Sequence, residues 1–81
     1  MTTIRYFAGA AAAAGTDEEL CDVRPAACLA DVLAELGKDN PHLQQVLAVS
    51  TILVDGTPVH NPAASVGTAQ VIEVLPPFAG G

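Results

Sequence analysis

Val71-Ile72-Glu73-Val74-Leu75-Pro76-Pro77-Phe78-Ala79-Gly80-Gly81 is the stretch on which the fold turns. Its first five residues are rich in β-branched side chains and read as a strand. The two prolines stop that strand, because neither can donate a ladder hydrogen bond and each fixes its own φ. The residue before each proline is pushed toward extended geometry. Residues 76–81 are therefore expected to leave the body as a stiff arm that becomes flexible only at its Gly-Gly tip. From Phe78 to Gly81 such an arm reaches about 13–14 Å when extended. Glycine has no Cβ, so Gly80-Gly81 could thread a channel too narrow for other residues. What arrives at the end of that channel is the α-carboxylate of Gly81. A carboxylate is inert until activated. Adenylation by an ATP-using partner would make its acyl carbon an electrophile, which a sulfur donor could convert to a thiocarboxylate. Taken alone, two glycines fit a frayed terminus better. The proline pair joined directly to a strand shifts that balance modestly.

Working back from this strand, Thr51-Ile52-Leu53-Val54 reads as a central strand. Asp55-Gly56 after it is the strongest short hairpin signal in the chain. Pro58-Val59-His60 is the expected return strand, placed at an edge by Pro58. Asn61 to Gln70 is a loop with Asn61-Pro62 and Gly67-Thr68 as turn signals. Upstream, Cys28 to Gly37 is the clearest helix. Leu29, Val32, Leu33 and Leu36 recur at i, i+3, i+4 and i+7 and form one apolar stripe. Asp31 suits its first turn, Gly37 reads as its C′ residue, and Cys28 takes the N-cap slot, where Ser, Thr, Asp or Asn would serve better. Asn40-Pro41 reads as a second N-cap followed by proline at N1, opening one or two turns over 42–47.

The start of the chain completes the sheet. Thr3 to Ala8 reads as a strand with Ile4, Tyr6 and Ala8 on one face and Thr3, Arg5 and Phe7 on the other. Gly9 to Gly15 is nearly pure alanine and reads as a short helical turn or loop, since so short a piece is marginal alone. Glu19 to Arg24 reads as a second strand in a hairpin with the first. Its register is open because Leu20 and Val23 do not alternate. The resulting order is β-β-α-(short helix)-β-β-β, with the last strand returning parallel beside the first. One mixed sheet of about five strands on one main helix makes a single α+β domain over residues 1–81.

Composition narrows the function. The formal net charge is −6, with Arg5, Arg24 and Lys38 the only fixed cations. That argues against a nucleic-acid backbone or an anionic membrane as partner, and favours docking onto a basic protein surface. Acidity alone also aids solubility, and the two are compatible. No apolar run reaches transmembrane length, and Met1 to Arg5 lacks a secretory pattern. Cys21 and Cys28 fit neither a CxxC motif nor a metal site and read as reduced thiols in a cytoplasmic protein, small core residues rather than nucleophiles. His42 and His60 lack partners at catalytic spacing and read as surface residues. Asp17, Glu18 and Glu19 read as a solvated turn. No constellation runs a reaction by itself.

These features resemble a β-grasp, or ubiquitin-like, domain, and more specifically the MoaD family, the sulfur-carrying small subunit of molybdopterin synthase. Ile4-Arg5-Tyr6-Phe7-Ala8, Gly15, Val54-Asp55-Gly56-Thr57-Pro58-Val59 and Pro76-Pro77-Phe78-Ala79-Gly80-Gly81 carry the resemblance, which spans Thr3 to Gly81. It implies that Gly81 is adenylated by an E1-like enzyme using ATP and becomes a thiocarboxylate. It also implies that Gly80 occupies the narrow penultimate position, and that Phe78, with Pro77 and Ala79 beside it, anchors the arm in the large synthase subunit of a heterotetramer. The chain itself would bind no cofactor. Two departures from the family pattern, the uncharged Ala10–Ala14 and Gly67-Thr68-Ala69-Gln70 before the last strand, leave the pathway open. Related carriers serve thiamin thiazole or cysteine synthesis, and a ubiquitin-like modifier is the alternative from another class. Finally, if the first and last strands are neighbours, Phe7 and Leu75 form an apolar surface patch beside the arm, which suggests a protein interface. A register off by one would bury them instead.

Overall fold

Parallel pairing of the first and last strands fixes the architecture. In the computed structural model, which describes residues 1–77, β1 (Thr2–Tyr6) lies beside β5 (Val71–Leu75). Ile4 is opposite Ile72 and Tyr6 opposite Val74. β2 (Glu18–Cys21) pairs antiparallel with β1, and β3 (Thr51–Val54) pairs antiparallel with β5. β4 (Thr57–Pro58) adds a short edge, giving the sheet order β2-β1-β5-β3-β4. This is the mixed five-stranded β-grasp sheet that the sequence leads one to expect. Strand alternation sorts the faces as expected too. Ile4, Tyr6, Ile52, Ile72 and Val74 are buried on one side, while Arg5 and Phe7 are exposed on the other.

Several boundaries differ, each for a local reason. β1 ends at Tyr6, and Ala8 is an exposed residue at φ 49°, ψ −124° instead of an inward strand position. The chain turns there into α1 (Gly9–Ala14): the Ala8 carbonyl accepts from the Ala11 and Ala12 N–H groups at 3.1 and 3.2 Å. Gly15 closes α1 at φ 79°, donating its N–H to the Ala11 carbonyl, and Ala10 is fully buried. The alanine tract is thus a helical turn that packing completes. β2 is shorter than expected and begins one residue earlier, which places Glu18 and Glu19 in the sheet, not in a turn.

α2 (Leu29–Gly37) and α3 (Pro41–Val49) are of equal length, so the short second helix expected over 42–47 is present but longer, and it covers the sheet together with the main one. Leu29 and Val32 of α2 and Leu43 and Leu47 of α3 reach the core. Gly37 is the last helical residue and is buried, which corrects its reading as a cap beyond the helix. A Cβ on Gly37 would come within 2.6 Å of the Gln44 Cγ, so the glycine lets α3 close onto α2. The Gln44 Nε2 in turn donates to the Gly37 carbonyl, satisfying an end-of-helix acceptor. Asn40 caps α3 as expected, its Oδ1 accepting from the Leu43 N–H at 3.0 Å, and its Nδ2 reaches the Ala13 carbonyl on α1 at 2.8 Å.

The loop before β5 also does structural duty. The Leu29 and Ala30 N–H groups, orphans of the first turn of α2, donate to the carbonyls of Ala64 and Pro62 at 2.9 Å each. Val66 and Ala69 of the same loop are buried. Gly67 lies against the backbone carbonyls of Arg24 and Pro25, where a Cβ would have no room. Asp55-Gly56 forms the expected two-residue hairpin with φ of 49° and 86°, both left-handed, between the paired Val54 and Thr57. The return strand is Thr57–Pro58, shifted one residue from the reading over 58–60, and Val59 still donates to the Ile52 carbonyl at 2.9 Å.

Candidate functional site

The place where β5 ends is the site to be built. β5 is an interior strand, paired on both sides, so its last residue is held by β1 and β3 together. Leu75 is opposite Thr51, and the Phe7 N–H donates to the Val74 carbonyl at 3.1 Å. Pro76 is half-buried and Pro77 exposed, so the chain passes from core to surface across these two residues. The sequence features place the expected chemistry beyond this point, at Phe78, Ala79, Gly80 and Gly81, which lie outside the described residues.

Phe7 and Leu75 share the outer face of the sheet. Phe7 follows the Tyr6–Val74 pair and stands next to Leu75 in the register; it is 37% exposed, while Leu75 is half-buried. The register is the one expected, and the apolar patch beside the exit exists. Arg5 organises the polar ground around it. Its guanidinium carbon is 5.7 Å from the Phe7 ring centroid, within cation–π range. Arg5 Nε lies 3.6 Å from a Glu18 carboxylate oxygen and its Nη1 3.8 Å from one of Glu73. Both ion pairs are partly exposed and contribute at most about 1 kcal/mol each. Their effect is positional: two acids from neighbouring strands hold the cation over the ring. A cleft lined by Arg5, Tyr6, Phe7, Ala8, Asp17 and Glu18 opens beside it.

The role of Arg5 is not apparent from the one-dimensional sequence. It becomes readable once Glu18, Arg5 and Glu73 fall in one row across β2, β1 and β5. The Tyr6 hydroxyl donates to the Glu19 Oε1 at 2.6 Å. Burial first, and then this hydrogen bond and the Glu19 charge, push the Tyr6 phenol well above its ordinary range.

The remaining candidates stand apart from the exit. Cys21 and Cys28 are free thiols, both half-buried. Burial and then the carboxylates of Glu35, Glu19 and Asp22 raise the Cys21 pKa, the opposite of what a nucleophile needs. Cys28 is tied to Asp31, whose Oδ2 accepts from the Cys28 N–H at 3.1 Å and from its thiol at 3.3 Å. The backbone bond and then the thiol bond hold the Asp31 carboxyl below its ordinary value. His42 and His60 are exposed, and among the described residues no group of three His, Cys, Asp or Glu side chains could hold a metal ion. No helix among them is long and apolar enough to cross a membrane.

Comparison with known proteins agrees with this geometry. A model of the ThiS family matches residues 4–81. A structure from Pyrococcus furiosus assigned as molybdopterin converting factor, subunit 1, is 25% identical, with a TM-score of 0.81 over 95% of this chain and 97% of that one. SAMP1 from Haloferax volcanii is 23% identical, with a TM-score of 0.81 over 99% and 98% of the two chains. Another Haloferax volcanii structure, of small archaeal modifier protein 1, is 20% identical, with a TM-score of 0.80 over 95% and 97%. Among curated proteins none matches the sequence.

Proposed function

This chain belongs to the ThiS family, and on that premise we propose that it is a small sulfur carrier serving as the small subunit of molybdopterin synthase. The observation that carries the reading is the exit of the chain from the middle of the sheet. An interior strand anchored on both sides ends at Leu75, and Pro76-Pro77-Phe78-Ala79-Gly80-Gly81 follows directly. A rigid base with a narrow final segment suits delivery of a terminal acyl group into another protein's active site.

In this reading an E1-like partner uses ATP to adenylate Gly81. The carboxylate oxygen attacks the α-phosphorus and pyrophosphate leaves. Sulfide-level sulfur, as hydrosulfide, then attacks the acyl carbon, the carbon–oxygen bond to AMP breaks, AMP departs, and loss of the sulfur-bound proton leaves a thiocarboxylate. Gly80 passes the narrowest part of the partner's channel, with Pro77, Phe78 and Ala79 lining the approach. Phe7 and Leu75 form the fixed part of the contact with the large subunit. The chain contributes no catalytic side chain; the reacting atoms are its own terminal backbone. The name of the Pyrococcus furiosus structure supports the molybdopterin assignment over thiamin thiazole or cysteine synthesis.

Incubation with the activating enzyme, ATP and a sulfur donor, followed by intact-mass measurement, tests the chemistry: one oxygen replaced by sulfur at Gly81 is the expected result. Reconstitution with a large synthase subunit and the pterin precursor then tests the pathway, with dithiolene formation expected. The similarity to small archaeal modifier protein 1 favours one second reading, conjugation to lysines through Gly81. Recovery of conjugates from cells, with no sulfur transfer in vitro, would replace the first reading by the second.

A further inference from the structure

The opposite end of the sheet carries a second surface that sulfur delivery does not use. β2 is an edge strand. The Tyr6 N–H donates to the Asp17 carbonyl, so Ile4–Glu19 and Thr2–Cys21 are the next hydrogen-bonded pairs of the antiparallel ladder. Glu18, Leu20 and Asp22 therefore turn their backbone groups away from the sheet. The Thr16 hydroxyl occupies those of Glu18, accepting from its N–H at 3.4 Å and donating to its carbonyl at 3.0 Å. Among the described residues, the N–H and C=O groups of Leu20 and Asp22 are left as a short open ladder.

A groove adjoins this ladder, between the end of β2 and helix α2. Val23, Ala27 and Val32 give it apolar walls, and the exposed carboxylates of Asp22, Asp31 and Glu35 line it. Arg24 is the one cation lining it, and Lys38 reaches Glu35 at 3.2 Å. Even so, Asp17, Glu18, Glu19 and Asp22 make the edge itself strongly acidic. A second copy paired along the same edge would bring these carboxylates together, which is unfavourable. An extended segment with alternating basic and apolar side chains meets both needs: a main chain for the ladder and cations for the carboxylates.

We propose that the β2 edge and the groove beside α2 form a docking site for an extended basic segment of a partner protein, which adds as a sixth strand alongside Leu20–Asp22. The site lies where β1 and β5 begin, whereas the exit at Leu75 lies where they end. A partner held here leaves the exit free, so two partners can be engaged together.

The test uses the full chain, labelled with ¹⁵N, and a capped octapeptide of alternating valine and arginine. The expected result is saturable shifts of the Leu20 and Asp22 amides, with those of Phe7 and Leu75 unmoved. N-methylation of the peptide at every second residue removes the hydrogen bonds to the edge. Losing two such bonds weakens binding by about tenfold or more. Leu20→Pro should act likewise, since the Leu20 N–H does not bond to β1; if that variant does not fold, the N-methylated peptide still decides with the unaltered protein. An alternating valine–glutamate peptide should not bind. Equal binding of the N-methylated and plain peptides, shifts centred elsewhere, or no binding at millimolar peptide would overturn the proposal. So would concentration-dependent dimers that Leu20→Pro abolishes. Sulfur transfer to Gly81 is measured separately, so either result can fail without the other.

Discussion

Ala8 carries a backbone conformation, φ 49° and ψ −124°, that L-residues with a Cβ rarely adopt. It is exposed, so nothing in its side chain offsets the strain. Ala8→Gly is expected to stabilise the fold by about 1 kcal/mol, measured as a rise in the urea midpoint at constant slope; an unchanged or lower midpoint would refute this account of the turn. Tyr6 and Cys21 set the alkaline limit. Both have pKa values raised in the folded state, from 10.0 and 9.0 respectively, so above those values the folded chain retains protons that the unfolded chain has lost. Stability is therefore complete at neutral pH and falls as pH rises, first through Cys21 from about pH 9 and then through Tyr6 from about pH 10, each by at most about 1.4 kcal/mol per pH unit. In Tyr6→Phe the second fall should disappear, even though stability at neutral pH is lower for want of the bond to Glu19. A denaturation series from pH 8 to 11 distinguishes the two.

Among the elements, the Asp55-Gly56 hairpin does more than reverse the chain. The Asp55 Oδ1 accepts from the N–H groups of both Gln70 and Val71, at 3.0 and 2.9 Å, and its own N–H donates to the Val71 carbonyl at 2.9 Å. The turn thereby fixes where β5 begins, and with it where Leu75 ends. Asp55→Ala removes two acceptor contacts and puts alanine at a left-handed φ. A loss of about 2–3 kcal/mol is expected by chemical denaturation, with Asp55→Asn recovering most of it; equal losses in the two variants would show that the side-chain oxygen is unimportant. The hairpin itself was legible in two letters, because only a few residues accept paired positive φ values. The strand faces were legible in Ile4, Tyr6, Ile72 and Val74, because a buried face imposes a period of two. The bond from Asp55 to β5 was not, since it spans residues that only the sheet brings together. Gly37 misled for a related reason: a glycine after an apolar stripe reads as a cap, and the close approach of α3 that makes it necessary has no local signal. The alanine tract could not be resolved as α1 because its stability comes from burial of Ala10 and the Asn40 bond, not from its own length.

For the molecule as a whole, the proposed function puts the contact with the large synthase subunit at the exit from β5. Phe7→Asp would put a carboxylate beside Glu18 and Glu73, on a residue that the core does not use. Folding should be retained, with loss of stability under about 1 kcal/mol as for most surface substitutions, while affinity for the large synthase subunit falls at least about tenfold; calorimetric titration with unchanged affinity would remove Phe7 and its neighbour Leu75 from the interface. The parallel return of the last strand beside the first and the point of exit could be read from the strand pattern and the proline pair, whereas the pairing of β3 with β5 could not. The arrangement of Arg5 between Glu18 and Glu73 could not, because three strands distant in sequence contribute to it. The adjacency of β1 and β5 has one more consequence, for the birth of the chain. Ile4 emerges from the ribosome early but cannot settle against Ile72 until the chain has been translated through β5. Folding must therefore wait for synthesis of the very strand that leads into the arm, so a half-made carrier offers partners no finished body on which to dock.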